Sequence, residues 1–314
     1  MKIAVAGAGA MGGRFGYALH QAGYDITFID RWESHVRTIR AQGFRIHING
    51  EDVVAHIPIF YPEELVQSGA TFDVVILLTK SSQLDSMLRA IAPIVTRQDT
   101  YSLCLLNGIG HEKVIEQHIP RSNILLGNIL WTAALVGAGH IKLENSGAVD
   151  LCELHPNGKA TAQKMVEILE HAGLNATYST DVYYTIYRKA LLNCIMNTLC
   201  TILECNMHTT GTSEHLRPIM MGIIGEFAAV AAAEGVRFDS KQAIEGMELS
   251  SRLDGIGVHF PSTYQDLIVH NRLTEIDCLN GYIMERGHHH GIATPCCSMI
   301  TQLIRCKEDI LNAK

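Results

Sequence analysis

The run Lys2-Ile-Ala-Val-Ala6, followed at once by Gly7-Ala8-Gly9-Ala10-Met11-Gly12, constrains this chain more than any other feature. A short apolar stretch leads directly into G-x-G-x-x-G, and a helix-like segment continues to about residue 22. That reads as strand, tight turn, helix, the opening unit of a parallel α/β sheet. Each glycine has its own physical reason. The first permits the turn, the second lets a phosphate approach the backbone, and the third lets the helix pack closely on the strand. The first N–H groups of that helix have no partner within it, and its dipole favours negative charge. Gly7, Ala8, Gly9, Ala10, Met11 and Gly12 are therefore the candidate contacts for the pyrophosphate of a dinucleotide.

The alternation continues. A second strand is expected at 25–30 and a helix at 33–42. Residues 45–48 and 53–58 predict a hairpin joined by Asn49-Gly50. Continuous apolar runs at 72–78, 101–106 and 124–126 suit strands buried on both faces. From about residue 181 the texture changes to amphipathic segments at 183–207, 213–235, 239–250, 263–270, 274–287 and 295–312. The expected fold is an α/β N-terminal domain over 1–180, a mainly parallel sheet with helices on both faces. An all-α C-terminal domain over 181–314 follows it.

Composition excludes several classes of function. The formal charge is −7 and no basic run stands out, which argues against nucleic acid as a partner. Nine cysteines contain no CxxC pair, and the trio His288-His289-His290 has no carboxylate at ligand spacing, so no metal site is expected. No apolar stretch of membrane-spanning length is expected, and the N-terminal run reads as a strand rather than a signal peptide. The expectation is a soluble protein of a reducing cytoplasm. The apolar segment 219–233 reads first as core and leaves a homodimer open.

The residues with chemistry to offer fall in a few places. Lys189, Asn193 and Asn197 recur every four residues in an otherwise apolar run, which on a helix would line them along one face for about 12 Å. One ammonium and two carboxamides suit a small substrate with a carboxylate, a carbonyl and hydroxyls. Asp30 ends the second strand where a carboxylate can hold a ribose hydroxyl, which favours NAD; Arg31 beside it could neutralise a 2′-phosphate, which favours NADP. Lys80 and Asn107-Gly108 follow buried strands, at the edge where open α/β sheets bind ligands. A last polar cluster runs through Ser262, Gln265, Asp266, Thr274, Glu275 and Asp277. Its charges also suit an exposed helix, and Thr274 a helix N-cap.

Together these segments resemble the ketopantoate reductase family over essentially the whole chain. The resemblance rests on Gly7–Gly12, Thr79-Lys80, Asn107-Gly108, the Lys189/Asn193/Asn197 helix and the Ser262…Gln265-Asp266…Thr274-Glu275-Ile-Asp277 signature. It implies a Rossmann domain joined to a helical domain, a site in the cleft between them, and NADPH-dependent reduction of 2-dehydropantoate to (R)-pantoate, on the way to pantothenate and coenzyme A. Lys189 would be the general acid and Glu275 would assist it and touch the cofactor. Asn193, Asn197 and Ser262 would hold substrate, Asn107 would touch substrate and cofactor, and Arg31, Lys80 and Ala134 would contact the cofactor. NADH in place of NADPH is the alternative that Asp30 keeps open. Two features depart from the family pattern: Met207 stands where a further substrate-binding Asn is expected, with Asn206 beside it, and the interval between Asp266 and Thr274 is one residue longer than usual. The alternatives are a related reductase of another branched 2-oxo acid and a dinucleotide-binding sensor without catalysis.

Overall fold

The computed structural model describes residues 1–144, 146–253 and 257–313. It forms two compact units, Met1–Asn107 with His111–Val182, and Gly108–Gly110 with Tyr183–Lys314. The first unit carries β1 (Lys2–Ala6), β2 (Asp25–Ile29), β3 (Phe44–Ile48), β4 (Glu51–Ala55), β5 (Ile59–Phe60), β6 (Val74–Leu77), β7 (Tyr101–Cys104) and β8 (Ile124–Ile129). Four more strands follow: β9 (Thr132–Gly137), β10 (His140–Glu144), β11 (Val149–Glu153) and β12 (Ala176–Tyr178).

Eight strands form one sheet in the order β12-β11-β8-β7-β6-β1-β2-β5. All its pairs are parallel except β8 with β11. The central strands explain the apolar runs: Ile3 to Ala6 and Val74 to Leu77 expose no surface, as strands covered on both faces must. Strand order reverses at β1, between β2 and β6. Ligands of open α/β sheets lie outside the carboxyl ends of the strands at such a reversal, so Gly7 and the residues after Leu77 stand at the favoured position.

The expected hairpin is present. Asn49 (φ 53°) and Gly50 (φ 84°) both take left-handed conformations between β3 and β4, as a two-residue turn matched to strand twist requires. The sequence reading did not anticipate its partners: β10 pairs with β3 in parallel and β9 with β10 in antiparallel, giving a second sheet β4-β3-β10-β9.

The second unit is helical. Its Leu216–Ala233 helix buries Met220, Ile223, Ile224, Phe227, Val230 and Ala231, a stripe at three- and four-residue spacing, in a core shared with Leu191, Ile195 and Ile283. Contrary to the sequence expectation, that helix is long and apolar enough to cross a membrane by length and composition. Its buried stripe marks it as a core helix of this unit.

The segment expected as one helix over 183–207 is interrupted. A helix at Val182–Leu192 passes into a π-helical turn at Asn193–Asn197 and resumes at Thr198–Leu203, ending at Glu204 in a left-handed conformation (φ 54°). The cause is a side chain from far along the chain beside a local one: the Cys194 carbonyl accepts from Asn280 Nδ2 (3.1 Å) and from the Thr198 hydroxyl (2.6 Å), and side-chain donors inserted into the ladder widen it. The segment 263–270 likewise divides into a short helix, Ser262–Tyr264, and a π turn, Gln265–Val269. The segment 274–287 becomes a 3₁₀ turn, Ile276–Cys278, and a helix, Asn280–His290.

Candidate active site

In the first unit the glycines do three different jobs. Gly7 has φ 94°, and a Cβ there would lie 2.6 Å from the Leu78 carbonyl oxygen; a Cβ on Gly12 would overlap the Gly7 carbonyl. Both are packed shut. Gly9 has nothing within 4 Å of where a Cβ would sit, so the turn is open at that residue. It precedes the Ala10–Gln21 helix and caps it with no side chain, which leaves first-turn N–H groups available. Beside this turn the Thr79 hydroxyl is buried with no hydrogen-bond partner among the described residues. An open approach, available N–H groups and an unsatisfied hydroxyl fit the phosphates and sugar of a dinucleotide.

Asp30 and His35 hold the turn rigid. Asp30 accepts from the Ala8 N–H through Oδ2 (2.7 Å) and from the Trp32 N–H through Oδ1 (2.8 Å). His35, fully buried, lies 2.9 Å from the Ala8 carbonyl through Nε2 and 2.9 Å from the Gly139 N–H through Nδ1. A carbonyl only accepts and an N–H only donates, so the ring is neutral with its proton on Nε2. Burial lowers its pKa against the opposing pull of Asp30, in keeping with that state. Arg31 turns elsewhere: its guanidinium donates to the Ser86 carbonyl (3.3 Å) and pairs with Glu63 (3.5 Å).

The remaining first-unit candidates lie at strand ends or edges. Lys80 precedes the 3₁₀ turn Ser81–Gln83. The Asn107 carbonyl accepts from His111 Nε2 at 2.7 Å. Ala134 sits in β9, the last strand of the small sheet, opposite Lys142.

In the second unit Lys189 lies in the last turn of its helix, just before the π turn. The residue keeps some exposed surface, but burial of its ammonium lowers the pKa to about 8, with Glu275 opposing the shift. Asn193 and Asn197 are buried. Asn197 Nδ2 donates to the Ser262 hydroxyl at 3.2 Å. The Thr274 N–H and hydroxyl both donate to the Glu308 carboxylate at 2.7 Å, which fixes the start of the Glu275 segment. Asp277 pairs with Arg305 at the surface (2.6 Å).

Comparison with known proteins adds to this geometry. The family description "Ketopantoate reductase PanE/ApbA" matches residues 3–156, and its C-terminal counterpart matches 181–308. The chain belongs to the ketopantoate reductase family.

Members close to it carry two names. A 2-dehydropantoate 2-reductase of Lactococcus lactis is 46% identical over the full length of both chains, and one of Streptococcus pyogenes is 41% identical over 99% of each. Among solved structures, a D-mandelate dehydrogenase with NADH and anilino(oxo)acetate is also 46% identical, covers 100% of both chains and superposes with a TM-score of 0.97. Like the family, this reductase is an NAD(P)-dependent oxidoreductase acting on a CH–OH group.

Within this reductase the structure brings Asn197 to Ser262 and sets Lys189 in the field of Glu275. At 206–207 it leaves the further amide with its oxygen already engaged. Met207 is buried in the core, and the Asn206 side chain accepts from the Thr209 N–H at 2.8 Å as the cap of the Met207–Gly211 helix. Sequence reasoning also missed Arg14. It is buried, donates to the Thr132 carbonyl at 3.0 Å and lies 4.4 Å over the Trp131 ring, anchoring the start of the strand that bears Ala134. Burial lowers its pKa. A lone Arg on the apolar side of a glycine-rich helix was the available signal.

Proposed function

We propose that this protein reduces 2-oxo acids with an apolar branched or aryl side chain to D-2-hydroxy acids, with NADH as the hydride donor. The observation that carries this reading is the pair Asn206–Met207. Ketopantoate has a 4-hydroxyl that needs a polar partner, and at this position the oxygen of the Asn206 amide is taken by a helix cap and the neighbouring Met207 is a buried thioether. A position with that acceptor withdrawn and a thioether beside it favours an apolar side chain. The 46% identical D-mandelate dehydrogenase, solved with NADH and an aryl-bearing oxo acid analogue, supports the same substrate class and the D configuration.

Asp30 supports NADH over NADPH. Its carboxylate is fixed at the end of β2 by two backbone N–H groups, where it can accept ribose hydroxyls and would repel a 2′-phosphate. Arg31, the group that would neutralise such a phosphate, is engaged by Glu63 and Ser86.

Gly7–Gly12, Thr79, Lys80, Asn107 and the Ala134 strand would hold a dinucleotide, which when bound would supply the hydride for the carbonyl carbon. The chain does the rest. Lys189, protonated below its pKa of about 8, donates a proton to the carbonyl oxygen and stabilises the negative charge developing there. Glu275 keeps that ammonium charged against burial. The Asn193 and Asn197 amides and the Ser262 hydroxyl orient the substrate carboxylate and carbonyl by hydrogen bonds.

Reduction of ketopantoate itself is the second reading, favoured by the names of the curated relatives. Steady-state oxidation of NADH and NADPH with phenylglyoxylate, 2-oxoisovalerate and ketopantoate separates the two. The expected result is a higher kcat/KM for the first two acids with NADH. A preference for ketopantoate with NADPH overturns the proposal and makes the protein a 2-dehydropantoate 2-reductase.

A further inference from the structure

We propose that Asn280 is a positioning residue for the reaction: its carboxamide holds the π turn that sets Asn193 and Asn197 in place. The inference rests on the reading of Lys189, Asn193 and Asn197 as the substrate site.

Asn280 exposes no surface and opens the Asn280–His290 helix, five residues after Glu275. The partner is the Cys194 carbonyl, which only accepts, so the atom facing it at 3.1 Å is the amide nitrogen. Cys194 is the second residue of the π turn, between Asn193 and Asn197. Its carbonyl also takes the Thr198 hydroxyl at 2.6 Å. A side-chain donor inserted at that carbonyl favours a wider turn. Thr198 makes the ordinary bond of a helical Thr to the carbonyl four residues back. Asn280 comes from 86 residues away and is the donor that the local helix cannot supply.

Packing alone would not select this residue. The helical core that holds Leu279, Tyr282 and Ile283 is largely apolar, although the Cys297 thiol there also hydrogen-bonds Asn280. Leu at 280 would serve that environment without the cost of desolvating an amide. The next residue, Gly281, packs the start of this helix against the preceding 3₁₀ turn: a Cβ there would lie 3.0 Å from the Ile276 carbonyl oxygen. One side chain thus ties the segment that bears Glu275 to the turn that bears both Asn side chains. Reversion to an α-helical turn would swing Asn197 relative to Asn193 by on the order of tens of degrees and break the 3.2 Å bond to Ser262.

The test uses Asn280→Leu, which removes the donor, and Asn280→Asp, which keeps the shape and replaces the nitrogen by an acceptor. For each, kcat and KM for the oxo acid are measured on enzyme counted by NADH binding, with NADH Kd from fluorescence titration. The expected result is a loss of about tenfold or more in kcat/KM for the oxo acid, with NADH Kd within about twofold of wild type. A merely structural role would lower the folded fraction and leave kcat/KM per binding site intact, and that outcome overturns the proposal. Thr198→Val is measured beside them and covers the case in which neither Asn280 variant folds. It is expected to keep kcat/KM, because Asn280 still holds the carbonyl, and a tenfold loss from Thr198→Val assigns the turn to Thr198 instead. Lys189→Ala distinguishes the two levels of the argument: if it retains turnover, the substrate site itself is misread, whereas a dead Lys189→Ala with unaffected Asn280 variants refutes this inference alone.

Discussion

Lys189→Met is expected to abolish turnover and to stabilise the protein in the same step. The Lys189 ammonium falls from a pKa of 10.5 to about 8 because burial disfavours its charge more than Glu275 supports it. That fall corresponds to roughly 3 kcal/mol of disfavoured ionisation. The sign follows from linkage. The folded pKa lies below the unfolded one, so the unfolded chain binds more protons between about pH 8 and 10.5, and stability rises with pH through that window. Below pH 8 the whole cost is present. Methionine has a similar unbranched length and no charge to bury, but it deprives Glu275 of its cation, which takes back part of the gain. A net stabilisation of about 1–3 kcal/mol at pH 7 remains, several degrees in the melting temperature of the unit. Melting curves of wild type and variant at pH 7 and pH 10, with oxo acid turnover at pH 7, supply the measurement. The difference in melting temperature should shrink towards the higher pH. A variant that melts lower than wild type at pH 7, or a difference that ignores pH, would refute the account of a buried, disfavoured ammonium.

Three further outcomes follow from other parts of the structure. Glu275→Gln removes the group that raises the Lys189 pKa, so the pH above which oxo acid reduction declines should move downward, seen in the kcat/KM profile. Gly9→Ala meets open space in the folded chain and should leave the melting temperature nearly unchanged while raising NADH Kd by about tenfold or more, because the methyl occupies the approach of the phosphates. Glu226 accepts from the N–H groups of Cys296 (2.7 Å) and Cys297 (2.8 Å) at the start of the Pro295–Leu311 helix; Glu226→Ala should cost about 1–2 kcal/mol in urea unfolding with kcat/KM unaltered.

Local signals in the sequence were read well where the local chain decides the outcome. The helix at Glu33–Gln42 ends as expected because Gly43 (φ 79°) takes a conformation that few other residues adopt. The Asn49-Gly50 hairpin follows from the same logic. What escaped was decided by distant partners. Nothing between Lys189 and Asn197 announces a π turn, because the donor that favours it is Asn280. The four-residue spacing that suggested a straight polar ribbon was real in sequence and is broken in space. The pairing of β10 with β3 joins His140 to Arg45, a register that no local pattern encodes. Thr274 does act as a cap, its hydroxyl accepting from the Ile276 N–H at 3.2 Å, but that hydroxyl and its N–H also donate to Glu308, 34 residues later.

The second π turn, Gln265–Val269, bears on how this chain is compared with its relatives. A turn that closes five residues on rather than four takes up one extra residue without lengthening the path between its ends. The family resemblance implies one extra residue between Asp266 and Thr274, and across that interval the Arg272 N–H reaches back to the Asp266 carbonyl at 2.8 Å while its guanidinium pairs with the Asp266 carboxylate at 2.8 Å. A surplus residue there would be absorbed as girth. A gap placed at 265–269 when such chains are aligned therefore keeps Ser262 and Glu275 each in register, whereas a gap placed anywhere between Arg272 and Glu275 would pair structurally different residues and hide the correspondence.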